Sequence, residues 1–317
     1  MMELEKLLLN RDKRAIARAI TYAEDDEEKA REIIRKLYKR SGNAYIVGIT
    51  GPPGVGKSTL TDKIVKKLAE ESKKIGIIAV DPTSPFTGGS ILGDRIRMQD
   101  LTTHPNVYIR SMGTRGHLGG LSKGTYMAVI ILDIAGMDYV FVETVGVGQS
   151  EVDIIKIADT VVMVLAPGLG DDIQAIKAGI MEIADIFVVN KSDREGADKT
   201  VLELNMMLDL DMPKEWRPPV VKAVAQEGKG IDEVLEKIHF HKEYLISSGK
   251  LQEKRKNRIK MEITESVKNK LMKDVFKKIG DEEFDQKIQK IMAKEIDPYT
   301  VAEALYRQIL ERREECD

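Results

Sequence analysis

Residues 45–58 read YIVGITGPPGVGKS, and residues 51–58 match the pattern G-x-x-x-x-G-K-[ST] between an apolar run and a helical pattern. Phosphate oxygens are bound by several converging N–H groups. The flexible backbone of Gly51, Gly54 and Gly56 can present such groups at the positive end of a helix. The stretch therefore predicts a strand, a phosphate-binding loop and a helix, against the alternative of a purely structural glycine loop.

The side chains of this loop extend the prediction to a nucleotide and a metal ion. Lys57 would place a positive charge on the β- and γ-phosphates, and the Ser58 hydroxyl would enter the coordination shell of Mg2+. Thr59 would help at the α-phosphate, and we expect Pro53 and Val55 to complete the loop around the phosphates. The predicted ligands are a nucleotide and Mg2+.

The surrounding sequence favours an α/β fold. Between residues 44 and 247, short β-branched runs alternate with amphipathic stretches, which is typical of a doubly wound, mostly parallel sheet covered by helices. The predicted strands are 45–50, 75–80, 107–110, 139–143, 160–165, 186–190 and 220–223. We therefore expect an N-terminal helical extension at 1–40, a P-loop domain at 41–247 and a C-terminal helical dimerisation region at 248–317.

Composition excludes several classes of protein. The 317 residues include 50 Lys or Arg and 52 Asp or Glu, so no global positive field attracts nucleic acid or an anionic membrane. The longest apolar runs, of about six residues, are far shorter than the ~18 needed to cross a bilayer. Cys316 is the only cysteine, and no secretory signal is recognised at the N-terminus. These features predict a cytoplasmic protein with no nucleic-acid or membrane partner.

The tetrad at 190–193 indicates which base is bound. Asn190, Lys191 and Asp193 form an N-K-x-D motif at the end of a predicted strand, where an open α/β sheet binds its ligand. The Asp193 carboxylate can accept two hydrogen bonds from guanine N1 and N2, whereas adenine has no such pair of donors. A surface turn would also favour these residue types, but the position after a strand favours guanine.

A second segment, 224–231, occupies the place of the loop that contacts guanine O6 in GTPases. The backbone N–H of Ala225 is the candidate donor, and its neighbours Val224 and Gln226 are expected to line the base.

These motifs lie in blocks that resemble one family, the methylmalonyl-CoA mutase-associated GTPases, also called the MeaB or ArgK family, among the P-loop metallochaperone GTPases. The blocks are VDPTSPFTGGSILGDRIRM (80–98), TRGHLGGLS (114–122), ETVGVGQSE (143–151) and PGLGDDIQAIKAGIMEIAD (167–185). The resemblance covers nearly the whole chain. It implies a GTPase that gates cofactor loading and protects an adenosylcobalamin-dependent methylmalonyl-CoA mutase or related acyl-CoA mutase. Glu143 stands where most GTPases carry the aspartate of D-x-x-G, and Val224 replaces the family's usual serine.

The metal ligands are expected to be oxygen atoms, because Mg2+ prefers phosphates, hydroxyls, one or two carboxylates and water. Ser58, Glu143 and either Asp81 or Asp94 fit these places, and the resemblance supports both aspartates. Each aspartate could instead cap a turn.

Hydrolysis requires an oriented water and positive charge near the γ-phosphate. Val147 occupies the position that carries a glutamine in Ras-like enzymes, and Gln149 and Gln174 are the candidate substitutes. Lys57, Glu143 and Lys177 are the predicted catalytic residues, although Lys177 could be a surface lysine. We expect slow turnover until a partner reorders the segments 81–98, 143–151 and 170–182.

The C-terminal helical pattern predicts a homodimer. Its apolar positions repeat at helical spacing beyond a complete α/β core and need a cover: Ile259, Ile263, Val267, Leu271, Val275 and Phe276. The alternative is a monomer whose helices fold back on their own domain. Two other functions remain open, a nickel-insertion GTPase, which typically needs a Cys or His cluster, and a kinase or ATPase linked to amino-acid transport.

Overall fold

The computed structural model describes residues 2–81, 99–113, 123–144, 153–168, 183–210 and 215–314, and a seven-stranded sheet forms its centre. The strands are β1 Tyr45–Thr50, β2 Ile75–Asp81, β3 Val107–Gly113, β4 Tyr139–Glu143, β5 Thr160–Leu165, β6 Ile186–Val189 and β7 Val220–Lys222. They lie in the order β3-β2-β4-β1-β5-β6-β7, and every neighbouring pair is parallel. The predicted doubly wound α/β fold is confirmed.

Helices precede, connect and follow the strands along the chain. They are α1 Met2–Leu9, α2 Lys13–Asp25, α3 Glu27–Leu37, α4 Lys57–Glu70, α5 Gln99–Thr103, α6 Lys123–Ile134, α7 Ala197–Leu210, α8 Ile231–Ser247, α9 Lys250–Ile279, α10 Asp281–Met292 and α11 Pro298–Glu314. Short 3-10 turns lie at Tyr38–Arg40, Ile154–Lys156 and Ala225–Glu227. Within the described ranges, no helix is both long and apolar enough to span a membrane.

Strand β1 is buried along its whole length because both faces of the sheet are covered. Val47 and Ile49 pack into a hydrophobic cluster with residues of α4 and α8, whereas Ile46 packs into a second cluster on the opposite face. Sandwiched in this way, β1 holds the loop that follows it at the carboxyl edge of the sheet.

The N-terminal helices form part of the cover of that second face. Leu8, Ile16, Ile20 and Ile33 are fully buried and share one cluster with apolar residues of β4 and α6. Helix α2 begins after Asp12, whose carboxylate accepts a hydrogen bond from the N–H of Ala15 at 2.8 Å. The amphipathic pattern of the N-terminal segment therefore corresponds to helices packed on the sheet.

The chain divides into two compact units, residues 1–254 and residues 255–317, and the division falls inside α9. The boundaries predicted from the sequence lie after residues 40 and 247. The assignment of 248–317 as a dimerisation region stays a prediction.

A buried polar cluster lies at the amino edge of the sheet, opposite the phosphate loop. His241 Nδ1 lies 2.7 Å from Thr160 Oγ1, and His241 Nε2 lies 3.3 Å from Asp185 Oδ1. The Lys254 ammonium donates to Asp159 O at 3.0 Å and to Asp185 Oδ2 at 3.3 Å. Burial lowers the pKa of His241 to about 4, outweighing the attraction of Asp185, whose carboxylate also pairs with Lys254. The imidazole is therefore neutral at physiological pH.

Candidate nucleotide-binding site

Two glycines allow the loop after β1 to approach its neighbours closely. Gly51 has a φ of 137°, and a Cβ atom there would lie 2.0 Å from the carbonyl oxygen of Val164. Gly56 has a φ of 93°, and its Cβ atom would lie 2.4 Å from Asn190 Nδ2. Side chains are strained at these φ values and have no space here, so the loop requires glycine at both positions.

The remainder of the loop is anchored at one point and open at its tip. Val55 is buried in the hydrophobic core, whereas Pro53 and Gly54 are exposed. Lys57, the first residue of α4, is buried, and its ammonium donates to Gly51 O at 2.7 Å and to Pro52 O at 2.9 Å. The loop thus holds a positive charge against its own backbone at the N-terminus of a helix, an arrangement suited to phosphate binding. Thr59, the third residue of this helix, is partly buried.

Glu143 and Ser58 form the oxygen-rich part of the site. Glu143 ends β4, is paired in register with Ile49 of β1, and is 4% exposed. The Ser58 hydroxyl donates to Glu143 Oε1 at 2.6 Å. A hydroxyl and a carboxylate are hard oxygen donors of the type that Mg2+ prefers. No group of three or more His, Cys, Asp or Glu that could hold a metal occurs in the described part of the chain. The Ser58–Glu143 pair itself fits Mg2+, which in proteins commonly completes its shell with nucleotide phosphates and water.

Of the other predicted metal and catalytic residues, the structure describes only some. Asp81 is the last residue of β2, two positions beyond Ala79, which pairs with Glu143. Its backbone therefore lies at the same edge of the sheet as Glu143. The predictions for Asp94 and Lys177, and those for Val147, Gln149 and Gln174, lie outside the described residues.

Asn190 joins the phosphate loop to the base loop, residues 224–231. It follows β6 and is 3% exposed; its Nδ2 donates to Val55 O at 2.8 Å, and its Oδ1 accepts from Ala225 N at 2.9 Å. The sequence predicted that the backbone N–H of Ala225 contacts guanine O6. In the structure this N–H donates a hydrogen bond to the Asn190 side chain. Sequence reasoning placed Asn190 in the base site without finding this bridging role, since the two partners are 135 and 35 residues away along the chain.

The other residues of the tetrad add contacts to the phosphate loop and to the turn beside β7. Lys191 adopts a φ of 56°, and its ammonium donates to Gly54 O at 2.6 Å. The N–H of Ser192 donates to Ala223 O at 3.0 Å, which fixes the turn beside β7. Asp193 is exposed, as is Gln226 in the neighbouring loop, while Val224 is partly buried. The structure brings the predicted phosphate and base residues to one edge of the sheet.

Thr61 is a site residue that the sequence reasoning missed. It is fully buried in α4, and its Oγ1 lies 3.1 Å from Glu143 Oε2 and 3.0 Å from Lys57 O. The only signal in the sequence is its place three residues after Ser58, on the same side of the helix.

Known proteins match the chain over most of its length. Residues 16–280 match the family described as "Methylmalonyl Co-A mutase-associated GTPase MeaB". A putative GTPase from Pyrococcus abyssi is 57% identical over 312 residues, which cover 97% of this chain and 96% of the relative. GTPase ArgK from Escherichia coli is 36% identical over 284 residues, which cover 87% and 85%. The crystal structure of an LAO/AO transport system kinase is similar with a TM-score of 0.76 and 27% identity, covering 98% of this chain and 97% of that chain.

Proposed function

The chain belongs to the family of methylmalonyl-CoA mutase-associated GTPases named MeaB, as its motifs suggested, and we propose that it is a Mg2+-dependent GTPase switch serving an adenosylcobalamin-dependent acyl-CoA mutase. The observation that carries the proposal is the meeting of three parts at one sheet edge. These are the phosphate loop at 51–59, the Ser58–Glu143 pair and the tetrad at 190–193.

Guanine selectivity is proposed to come from Asp193. Its carboxylate is exposed, and two other members of the tetrad, Asn190 and Lys191, are hydrogen-bonded to the phosphate loop. Guanine N1 and N2 would both donate to it. Adenine would leave the carboxylate desolvated without donors, and an unpaired buried group weakens binding strongly.

Mg2+ is proposed to be held by Ser58 and Glu143, with Asp81 or Asp94 as the further carboxylate. When bound, the ion would neutralise charge on the nucleotide phosphates. Ser58 and Glu143 are already hydrogen-bonded at 2.6 Å, so the chain holds its own donors together. Lys57 would exchange its contacts with Gly51 O and Pro52 O for phosphate oxygens.

The proposed output is a conformational change passed to the mutase. The family description names methylmalonyl-CoA mutase as the associated enzyme, and this is the support for the partner. Turnover is proposed to be slow in the isolated protein because Val147 supplies no water-orienting amide, and faster when the mutase brings Lys177 or a glutamine into place. A cytoplasmic location, where a mutase would be met, is part of the same proposal.

A homodimer built by the C-terminal unit is also proposed. In α9, Ile259, Ile263, Val267 and Leu271 are exposed at intervals of four residues. Helix α9 carries eleven Lys or Arg and four Asp or Glu, whereas residues 280–317 carry six and eleven. Two copies can therefore cover their apolar stripes while the basic helix of one meets acidic helices of the other.

A kinase function is the second candidate, because the similar solved structure is that of an LAO/AO transport system kinase. In a kinase the γ-phosphoryl group goes to another molecule, whereas in a GTPase it goes to water. Measurement of free phosphate therefore separates the two. Release of one free phosphate for each GDP formed, in a mixture that contains only protein, GTP and Mg2+, supports the GTPase.

Titration calorimetry with GTP, GDP and ATP, in the presence and absence of Mg2+, tests the proposed ligand. We expect GTP and GDP to bind far more tightly than ATP. Equal affinity for ATP and GTP would overturn the guanine assignment. Addition of a purified mutase should raise the rate of GTP hydrolysis, and the absence of both binding and stimulation with any adenosylcobalamin-dependent acyl-CoA mutase would reject the partner.

A further inference from the structure

Glu143 is held by two hydroxyl groups from the same helix. Ser58 Oγ lies 2.6 Å from Oε1, and Thr61 Oγ1 lies 3.1 Å from Oε2. Both side chains come from α4, three residues apart, and all three residues are buried. Each carboxylate oxygen of Glu143 thus has its own hydroxyl partner.

The second hydroxyl matters because a glutamate has one more rotatable bond than an aspartate. If only Oε1 were held, the carboxylate plane could turn about the terminal torsion, whose preference is broad. The contact to Oε2 restricts that torsion and favours the orientation in which Oε1 faces Ser58. Hydrogen bonds to a charged acceptor are stronger than neutral ones, so this restraint is effective in a buried site.

We propose that Thr61 is a positioning residue for Mg2+, acting through the Oε2 atom of Glu143 and not by contact with the ion or the nucleotide. The proposal rests on the proposed function, since it needs a Mg2+-bound guanine nucleotide. Its role is to keep the carboxylate oriented before the ion arrives, which lowers the cost of assembling the metal site.

A purely structural role for Thr61 is the alternative, because its Oγ1 also lies 3.0 Å from Lys57 O, one helical turn earlier. Threonine in helices commonly makes this bond to the i−4 carbonyl. Thr200 in α7 makes the same bond to Gly196 O at 3.2 Å and is also buried. Both threonines lie within hydrogen-bond distance of the i−4 carbonyl, and of the two only Thr61 also lies near a carboxylate. Its one hydroxyl hydrogen is therefore shared between Lys57 O and Glu143 Oε2. Thr200 is therefore a matched control.

The test measures how Mg2+ slows the release of a fluorescent GDP derivative from the full-length protein. The variants are Thr61→Val, Thr61→Ser and Thr200→Val. For Thr61→Val we expect the Mg2+ concentration that gives half of the full slowing to rise about tenfold, the effect of one hydrogen bond to a charged group. Thr61→Ser should stay within about twofold of wild type because it keeps the hydroxyl, and Thr200→Val should not change this concentration. The release rate in EDTA should be the same in all four proteins.

Thr61→Val with the Mg2+ dependence of wild type would overturn the inference, and so would an equal rise for Thr200→Val. If wild type itself fails to bind guanine nucleotide in EDTA and in Mg2+, the proposed function fails instead. If Thr61→Val does not fold, Thr61→Ala replaces it in the wild-type and Glu143→Gln backgrounds. A change in Mg2+ dependence that is equally large in both backgrounds would show that Thr61 does not act through the carboxylate.

Discussion

Replacement of Asn190 should damage both the stability of the protein and its affinity for nucleotide, because one amide group joins two loops. Its Nδ2 donates to Val55 O and its Oδ1 accepts from Ala225 N, at 2.8 and 2.9 Å. Asn190→Ala would leave a carbonyl and an N–H without partners, and each such buried group costs about 1–3 kcal/mol. Val55 and Ala225 are both buried, so we expect the free energy of unfolding to fall by about 2–6 kcal/mol for the two groups together.

Asn190→Asp should be worse than Asn190→Ala, although aspartate is nearly the same size as asparagine. The carboxylate has no hydrogen to donate, so an anionic oxygen would face the Val55 carbonyl at a distance that now holds a hydrogen bond. Repulsion would push the phosphate loop and the base loop apart. We expect the dissociation constant of GDP to rise at least about tenfold for Asn190→Ala, or ~1.4 kcal/mol, and further for Asn190→Asp.

Urea unfolding monitored by circular dichroism, together with GDP calorimetry, measures both effects. Asn205→Ala is the control: this side chain donates to Val201 O at 3.0 Å and accepts from Arg217, but lies on α7 away from the loops. It should leave GDP affinity unchanged. An Asn190→Asp variant milder than Asn190→Ala, or GDP affinity within about twofold of wild type in both, would refute the bridging role of the amide.

Three other predictions test the base, the buried histidine and the dimer. Asp193→Asn should shift the preference from guanine towards xanthine nucleotides, because an amide donates where the guanine N1 and N2 groups also donate; calorimetry with xanthosine diphosphate measures this. Burial lowers the pKa of His241 from its ordinary value of 6.5 to about 4 in the folded protein. As the pH falls, the imidazole is therefore protonated in the unfolded chain before it is protonated in the folded protein. Stability should be full above pH ~6.5 and fall by up to about 3 kcal/mol as the pH approaches 4, and His241→Gln should remove this part of the slope in urea titrations. The full-length protein should sediment as a dimer at micromolar concentration; Val267→Glu should yield monomers while Thr264→Glu, an equal charge change at a polar exposed position, should not. A monomeric wild-type chain would contradict the dimer.

The sequence predicted the sheet well for a physical reason. Strands of a parallel sheet are covered on both faces, so runs such as 45–50 and 160–165 are buried throughout, are mostly apolar, and stand apart from amphipathic helices. The sequence predicted the ends of the strands less accurately. Strand β3 extends to Gly113 because its backbone pairs with β2 as far as Asp81, a partner that the local pattern at 107–110 does not reveal.

Motif spacing predicts the candidate site, whereas the bridges within it depend on tertiary structure. The match at 51–58 and the tetrad at 190–193 are local patterns that can be read from the chain. The contacts of Asn190 with Val55 and of Thr61 with Glu143 join residues 135 and 82 positions apart, and hydroxyl or amide side chains of these types are common throughout proteins. The register of β1 beside β4 and the packing of α4 against the sheet bring Thr61 to Glu143. The pairing of β6 with β5, and of β5 with β1, brings Asn190 to the loop that contains Val55.

The first residues of α9, up to Lys254, belong to the first compact unit and make polar contacts within it. Lys254 belongs to the first compact unit, and its ammonium is bonded to Asp159 O and to the Asp185 carboxylate. Lys250, on the preceding turn, pairs with Glu215. A chain ending at residue 247 would lose both lysines and leave Asp185, which is also beside the buried His241, without its cation. Loss of a dimer in such a truncated chain could therefore reflect a damaged first unit, so single substitutions in the exposed apolar stripe of α9 are the sharper test of self-association.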